Sequence, residues 1–153
     1  MGTEKPVIRK AEAKDISAFV QIESECFNDA WSHAMIEKEI FNNLAHYWVL
    51  ECDQQVVAYA GFWLVKGEAQ INRVAVATKF RNKGLGNYLV QTLVNNGWDL
   101  GADSITLEMR SDNEAAHKVY LRAGFKDAGI RPHYYEDGSD ALIMWLYRDK
   151  KIS

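Results

Sequence analysis

Arg81-Asn82-Lys83-Gly84-Leu85-Gly86 is the stretch on which the reading of this chain turns. Before it runs the apolar strand pattern Ile71-Asn72-Arg73-Val74-Ala75-Val76. After it Leu85, Tyr88, Leu89, Thr92, Leu93 and Asn96 recur at helical spacing and share a face. A glycine-rich turn at the start of a helix leaves the first-turn amides without backbone partners, and the positive end of the helix dipole lies beside them. Both favour an anion there, so the simplest occupant is a pyrophosphate. Gly84 and Gly86 carry no Cβ, which lets a ligand approach the main chain and makes positive φ cheap. Arg81 and Lys83 add positive charge.

The ordinary alternative is a tight strand-to-helix connection that binds nothing. Two familiar phosphate loops are excluded. A dinucleotide fingerprint needs a third glycine where Leu89 stands, and G-x-x-x-x-G-K-[ST] is absent.

At 153 residues the chain reads as one domain, 1–153, with its core at about 7–147. A hydrophobic content of 48% and a charged content of 25% are those of a globular protein. The net charge of −3 supplies no general attraction to nucleic acid or to an anionic membrane. Cys26 and Cys52 lack metal-ligand spacing and nothing basic is patterned beside either, so both are expected to be reduced thiols. The apolar run at residues 56–65 is too short to span a bilayer. No basic segment followed by an apolar one opens the chain, and Pro6 occupies the Ser/Thr position of a myristoylation pattern. A cytoplasmic protein is expected.

The periodicities place a strand at residues 7–10 and an amphipathic helix at 15–27 (Ile16, Phe19, Val20, Glu23, Phe27), with Asp15 in its acidic first turn. A second helix runs to residue 41 behind Ser32 as N-cap. Three antiparallel strands follow at 47–51, 56–65 and 68–76. The helix after the glycine loop stops near Gly97 or Gly101. Residues 104–110 alternate, with Ile105, Leu107 and Met109 on one face and Thr106, Glu108 and Arg110 on the other. A short helix at 114–123 ends at Gly124, and strands at 126–135 and 141–147 complete the chain. The expected fold is α+β, a mixed and mostly antiparallel central sheet flanked by helices, in the order β-α-α-β-β-β-α-β-α-β-β. A parallel crossover surrounds the glycine loop.

That order and its motifs resemble the GCN5-related N-acetyltransferases, which move an acetyl group from acetyl-coenzyme A to an amine. The resemblance covers residues 7–147. The loop matches R-x-x-G-x-G, and Glu108-Met109-Arg110-Ser111-Asp112-Asn113 with Ala116, Tyr120 and Gly124-Phe125 looks like the strand–helix segment that follows it. Within the family the chain is most similar to the ribosomal-protein-alanine N-acetyltransferases and related N-terminal acetyltransferases. Trp31-Ser32, Glu108-x-Arg110-x-x-Asn113, Tyr120, Arg131-x-x-Tyr134-Tyr135 and Asp140-Ala141-x-x-Met144 carry that likeness. The resemblance implies acetylation of the free α-amine of a protein, the alanine that starts a small-subunit ribosomal protein. No metal, no direct nucleic-acid contact and no membrane are expected from the charge, the apolar runs and the histidine and cysteine spacing. The chain departs from the pattern at Ala30 and at Ala77-Thr78-Lys79, where prolines are common, and at Asn72-Arg73, where less basic residues are usual.

The chemistry asks for four things. By resemblance, the residues at 81–86 (Arg81, Asn82, Lys83, Gly84, Leu85, Gly86) hold the pyrophosphate, and the main chain of Val74, Ala75 and Val76 pairs with the pantetheine arm. The side chains of Val74 and Val76 are otherwise ordinary core. Glu108 is implied as the general base, through water; the alternative is a solvated strand carboxylate paired with Arg110 or a neighbour. An oxyanion donor comes from a free N–H on the fourth strand. Tyr120 is implied as the general acid to the coenzyme thiolate, against the alternative of a core aromatic. Asn113 either contacts coenzyme A or simply caps its helix. Trp31, Tyr134 and Tyr135 are implied as walls of the peptide slot. His33, His46, His117 and His133 read as surface or structural.

The acceptor sets the demand on the base. An α-amine of pKa near 7.8 is roughly 10–15% neutral at pH 7 and a lysine only about 0.04%, a difference of roughly 3.5 kcal/mol. A small amine or a lysine as acceptor, and a non-catalytic acetyl-coenzyme A module, are the competing readings.

Overall fold

A computed structural model describes residues 6–149. The elements are β1 (Val7–Lys10), α1 (Ile16–Cys26), α2 (His33–Ile40), β2 (Ala45–Cys52), β3 (Gln55–Val65), β4 (Glu68–Val76), α3 (Leu85–Asp99), β5 (Ser104–Arg110), α4 (Glu114–Arg122), β6 (Lys126–Arg131) and β7 (Ala141–Tyr147). Local chemistry fixes most boundaries. Ser32 accepts from Met35 N–H at the start of α2, and Asn113 accepts from Ala116 N–H at the start of α4. Asp53-Gln54 and Lys66-Gly67 have positive φ at both positions, the twist a two-residue hairpin turn requires.

The seven strands lie in the order β1-β2-β3-β4-β5-β7-β6, antiparallel throughout except for the parallel pair β4 and β5. One core lies under α3 and α4, around Phe62, Leu89, Leu93, Ile105, Leu107 and Phe125. The other lies under α1 and α2, around Phe19, Ile22, Ile36, Tyr47, Val49 and Tyr59. The sheet is thus covered on both faces.

Two irregularities in β4 create the site. First, Gly61 pairs with Arg73 while Phe62 pairs with Ile71, so Asn72 is an extra residue on β4. The phase of the strand reverses there: Ala69 and Ile71 pack in the α3 core, whereas Ala75 packs in the α1 core. Second, pairing with β5 covers only Glu68 to Ile71 against Ser104 to Leu107. Beyond Ile71 the two strands splay, and the second half of β4 keeps a neighbour on one side only.

Several sequence expectations change. The strand expected to reach residue 135 stops at Arg131, because Pro132 follows and cannot donate to the ladder. On α3, Tyr88 is exposed and Thr92 and Asn96 are half-buried, while Val90, Val94 and Gly97 flank the leucine stripe inward. Gly101, with φ +100, follows the end of α3, whereas Gly97 lies within it against Ile105. Asp15 is buried in a two-pronged pair with the Arg9 guanidinium, at 2.8 and 2.9 Å.

Gly61 is required by space. A Cβ there would fall inside the Tyr47 ring, which is held by its hydroxyl bond to Glu39 at 2.9 Å. Gly61→Ala is expected to cost about 2 kcal/mol or more, a fall of roughly 5 °C in Tm by thermal denaturation.

Candidate active site

The splay between β4 and β5 opens onto two adjoining cavities. The larger, about 770 Å³, is bounded by β4, the glycine loop, α3 and α4. The smaller, about 460 Å³, lies between the α1–α2 loop, β4, β5 and the segment after β6. Cys26, Phe27, Val74, Asn113, Ala116 and Tyr120 border both, so the two spaces meet at those residues.

The larger cavity suits an elongated anion. Tyr88 N–H makes the first bond of α3, to Gly84 O at 3.2 Å, which leaves the amides of Leu85, Gly86 and Asn87 without a backbone acceptor among the described residues. Asn82 and Gly84 are left-handed, at φ +63 and +79, and a Cβ at Gly84 or Gly86 would meet nothing within 4 Å. That open space over bare amides is what a phosphate needs. The β4 edge supplies the rest. Ala77 N–H bonds Val57 O at 2.8 Å, so the two-residue repeat turns the peptide groups of Val74 and Val76 away from β3 and into the gap.

Arg81 and Lys83 are placed differently from one another. The Arg81 guanidinium bends back into the gap, its Nε donating to Val76 O at 3.2 Å and its Nη2 to Cys26 Sγ at 3.1 Å. Lys83 Nζ sits 5.5 Å from the Phe80 ring and does not border the cavity. A basic group therefore does stand beside Cys26, contrary to the sequence expectation, because residues 55 apart in sequence meet across the splay.

Tyr120 is buried on α4, edge-on to Phe125 at 5.7 Å, with burial pushing its hydroxyl well above the ordinary tyrosine range. It therefore stays protonated at any working pH. Asn113 caps α4 with its side-chain oxygen, as the plainer reading has it, and also borders both cavities.

Glu108 on β5 borders the smaller cavity, and Arg131 Nε donates to its carboxylate at 3.0 Å. The charge of the same carboxylate raises the pKa of the Tyr134 phenol. Tyr135 borders the cavity under the Arg110 guanidinium, 4.8 Å from its ring, and Arg110 is paired with Asp137. Tyr134 and Trp31 stand one layer back: neither borders the cavity. Trp31 packs on Arg73 at 4.4 Å, leaving the wall itself to Phe27, Asn28 and Asp29.

The sequence profile of the acetyltransferase (GNAT) family matches residues 16–125, and the chain belongs to that family. It is an acetyl-coenzyme A-dependent N-acetyltransferase. Two bacterial relatives are similar over most of their length. A Bacillus subtilis (strain 168) protein, provisionally named a [ribosomal protein bS18]-alanine N-acetyltransferase, is 35% identical over 93% of this chain and 95% of its own. The [ribosomal protein bS18]-alanine N-acetyltransferase of Salmonella typhimurium (strain LT2) is 33% identical over 86% and 90%. The crystal structure of the ribosomal-protein-S18-alanine N-acetyltransferase from Escherichia coli superimposes with a TM-score of 0.87 at 29% identity, over 94% of both chains.

Residue-by-residue reading of the sequence missed Glu23, Arg73 and Cys26 as parts of this region. The first two left a signal. Glu23 is a carboxylate on the apolar stripe of α1, and the apolar residues of β4 shift phase, from Ala69 and Ile71 to Val74 and Val76, across Asn72-Arg73. Cys26 left none.

Proposed function

We propose that this enzyme acetylates the α-amine of a protein N-terminus, an alanine that begins a small-subunit ribosomal protein, by direct attack with Glu108 as base and Tyr120 as acid. The observation that carries the reading is the junction of the two cavities at Tyr120, with Glu108 facing only the acceptor side. The names of the relatives agree with it.

In this reading the amides of Leu85, Gly86 and Asn87 hold the pyrophosphate of acetyl-coenzyme A, whose thioester supplies the activated acetyl group. The main chain of Val74, Ala75 and Val76 pairs with the pantetheine arm as an added strand does. Glu108 takes the proton of the acceptor ammonium, directly or through one water. Tyr120 donates its proton to the sulfur as the carbon–sulfur bond breaks, and the second proton lost by the acceptor nitrogen returns the phenolate to the neutral phenol. Tyr135 and the loop carrying Phe27, Asn28 and Asp29 enclose the peptide's first residue.

Release of coenzyme A is the test. An Ala-initiated peptide is expected to outperform the same peptide with a blocked N-terminus, and free polyamines, by at least a hundredfold in kcat/KM. Equal rates on the blocked peptide would eliminate the α-amine as the acceptor.

A further inference from the structure

The phase reversal at Asn72 has a chemical result: Arg73 shares the face of Ala75 and meets α1. Its partner there is Glu23, a fully buried carboxylate. A buried charge is costly unless every lone pair is engaged. Glu23 accepts from Trp31 N–H at 2.8 Å, from Arg73 Nη2 at 3.2 Å and from the buried Tyr59 hydroxyl.

The guanidinium carbon lies against two rings of the α1–α2 loop, 4.0 Å from the Phe27 centroid and 4.4 Å from that of Trp31. Its Nη2 also reaches Asp29 O at 3.5 Å. One arginine on β4 thus grips the loop at both ends and in the middle. Phe27 and Asp29 are wall residues of the acceptor cavity, and β4 is the strand whose free edge faces the donor cavity.

We propose that Arg73 is a positioning residue for the acceptor. It sets the spacing between the peptide-facing loop and the donor-facing strand, and because Glu23 neutralises it, it adds no net charge to the slot. The basic departure at Asn72-Arg73 therefore changes how firmly the slot is built rather than which charges it selects. This rests on the α-amine reading above.

The test compares Arg73→Lys with the double variant E23Q/R73L. Lysine keeps the charge but loses the planar, stacked fork; the double variant removes both buried charges and keeps the space filled. In both, KM is expected to rise at least tenfold for Ala-initiated peptides, equally whether the second residue is Asp or Lys. KM for acetyl-coenzyme A should stay within twofold, which also reports a folded enzyme. Hydrogen exchange in residues 27–32 should accelerate at least tenfold. A KM rise confined to the Asp-bearing peptide would mean direct charge recognition and overturn the proposal. So would an unchanged peptide KM, or unchanged exchange in the loop. If the wild-type enzyme acetylates no α-amine, the functional reading fails instead, and the exchange rates still decide whether Arg73 holds the loop.

Discussion

Glu108→Gln is expected to lower kcat for an Ala-initiated peptide by about two to three orders of magnitude at pH 6.5 and by only about tenfold at pH 9. The sign follows from the acceptor. An α-amine of pKa near 7.8 is about 5% neutral at pH 6.5 and about 94% neutral at pH 9. The wild-type enzyme can take the ammonium's proton itself, whereas the variant must wait for an amine already neutral. Its deficit therefore shrinks as pH rises, by roughly the twentyfold change in neutral amine. Glutamine keeps an oxygen for Arg131, so the hairpin beside the slot should stay in place. The measurement is kcat against pH for both enzymes with saturating acetyl-coenzyme A. A loss of the same size at both ends of the range would remove Glu108 as the base.

Tyr120→Phe is expected to reduce kcat at least tenfold, about 1.4 kcal/mol of transition-state stabilisation, while calorimetry finds acetyl-coenzyme A binding within twofold of wild type. The substitution deletes one oxygen and keeps the ring that packs on Phe125. The hydroxyl has no hydrogen-bond partner among the described residues, so its loss leaves no protein group unsatisfied. What disappears is a proton at the meeting point of the two cavities. A thiol has a reference pKa near 8.5 and a tyrosine near 10, so transfer to a free thiolate is uphill, and the proton moves as the carbon–sulfur bond breaks, coupled to loss of the surplus proton on the attacking nitrogen. A variant with unaltered turnover would return Tyr120 to the role of a core aromatic.

Much of the fold was legible because it is written in local chemistry. The alternation of Ile105, Leu107 and Met109 marked β5, and Ser32 and Asn113 marked the starts of α2 and α4. The side of α3 that faces the sheet was not. Leu85, Leu89 and Leu93 form a stripe flanked on one side by Tyr88, Thr92 and Asn96 and on the other by Val90, Val94 and Gly97. Both flanks fit helical spacing, and only the sheet beneath, with Ile105 against Gly97, selects one. Glu108 and Tyr120 were singled out through the family's motif alone; as single residues they looked like a solvated strand acid and a core aromatic.

By itself the sequence determined the order of elements, a mostly antiparallel sheet flanked by helices and a glycine turn at the mouth of α3, because each depends on periodicity, capping and glycine within a short window. Only the tertiary structure decided that β4 changes face at Asn72, that Arg73 meets Glu23 between Phe27 and Trp31, and that Arg81 turns back onto Val76 and Cys26. Those contacts join residues about fifty positions apart, and strand register and splay, which no local window encodes, bring them together.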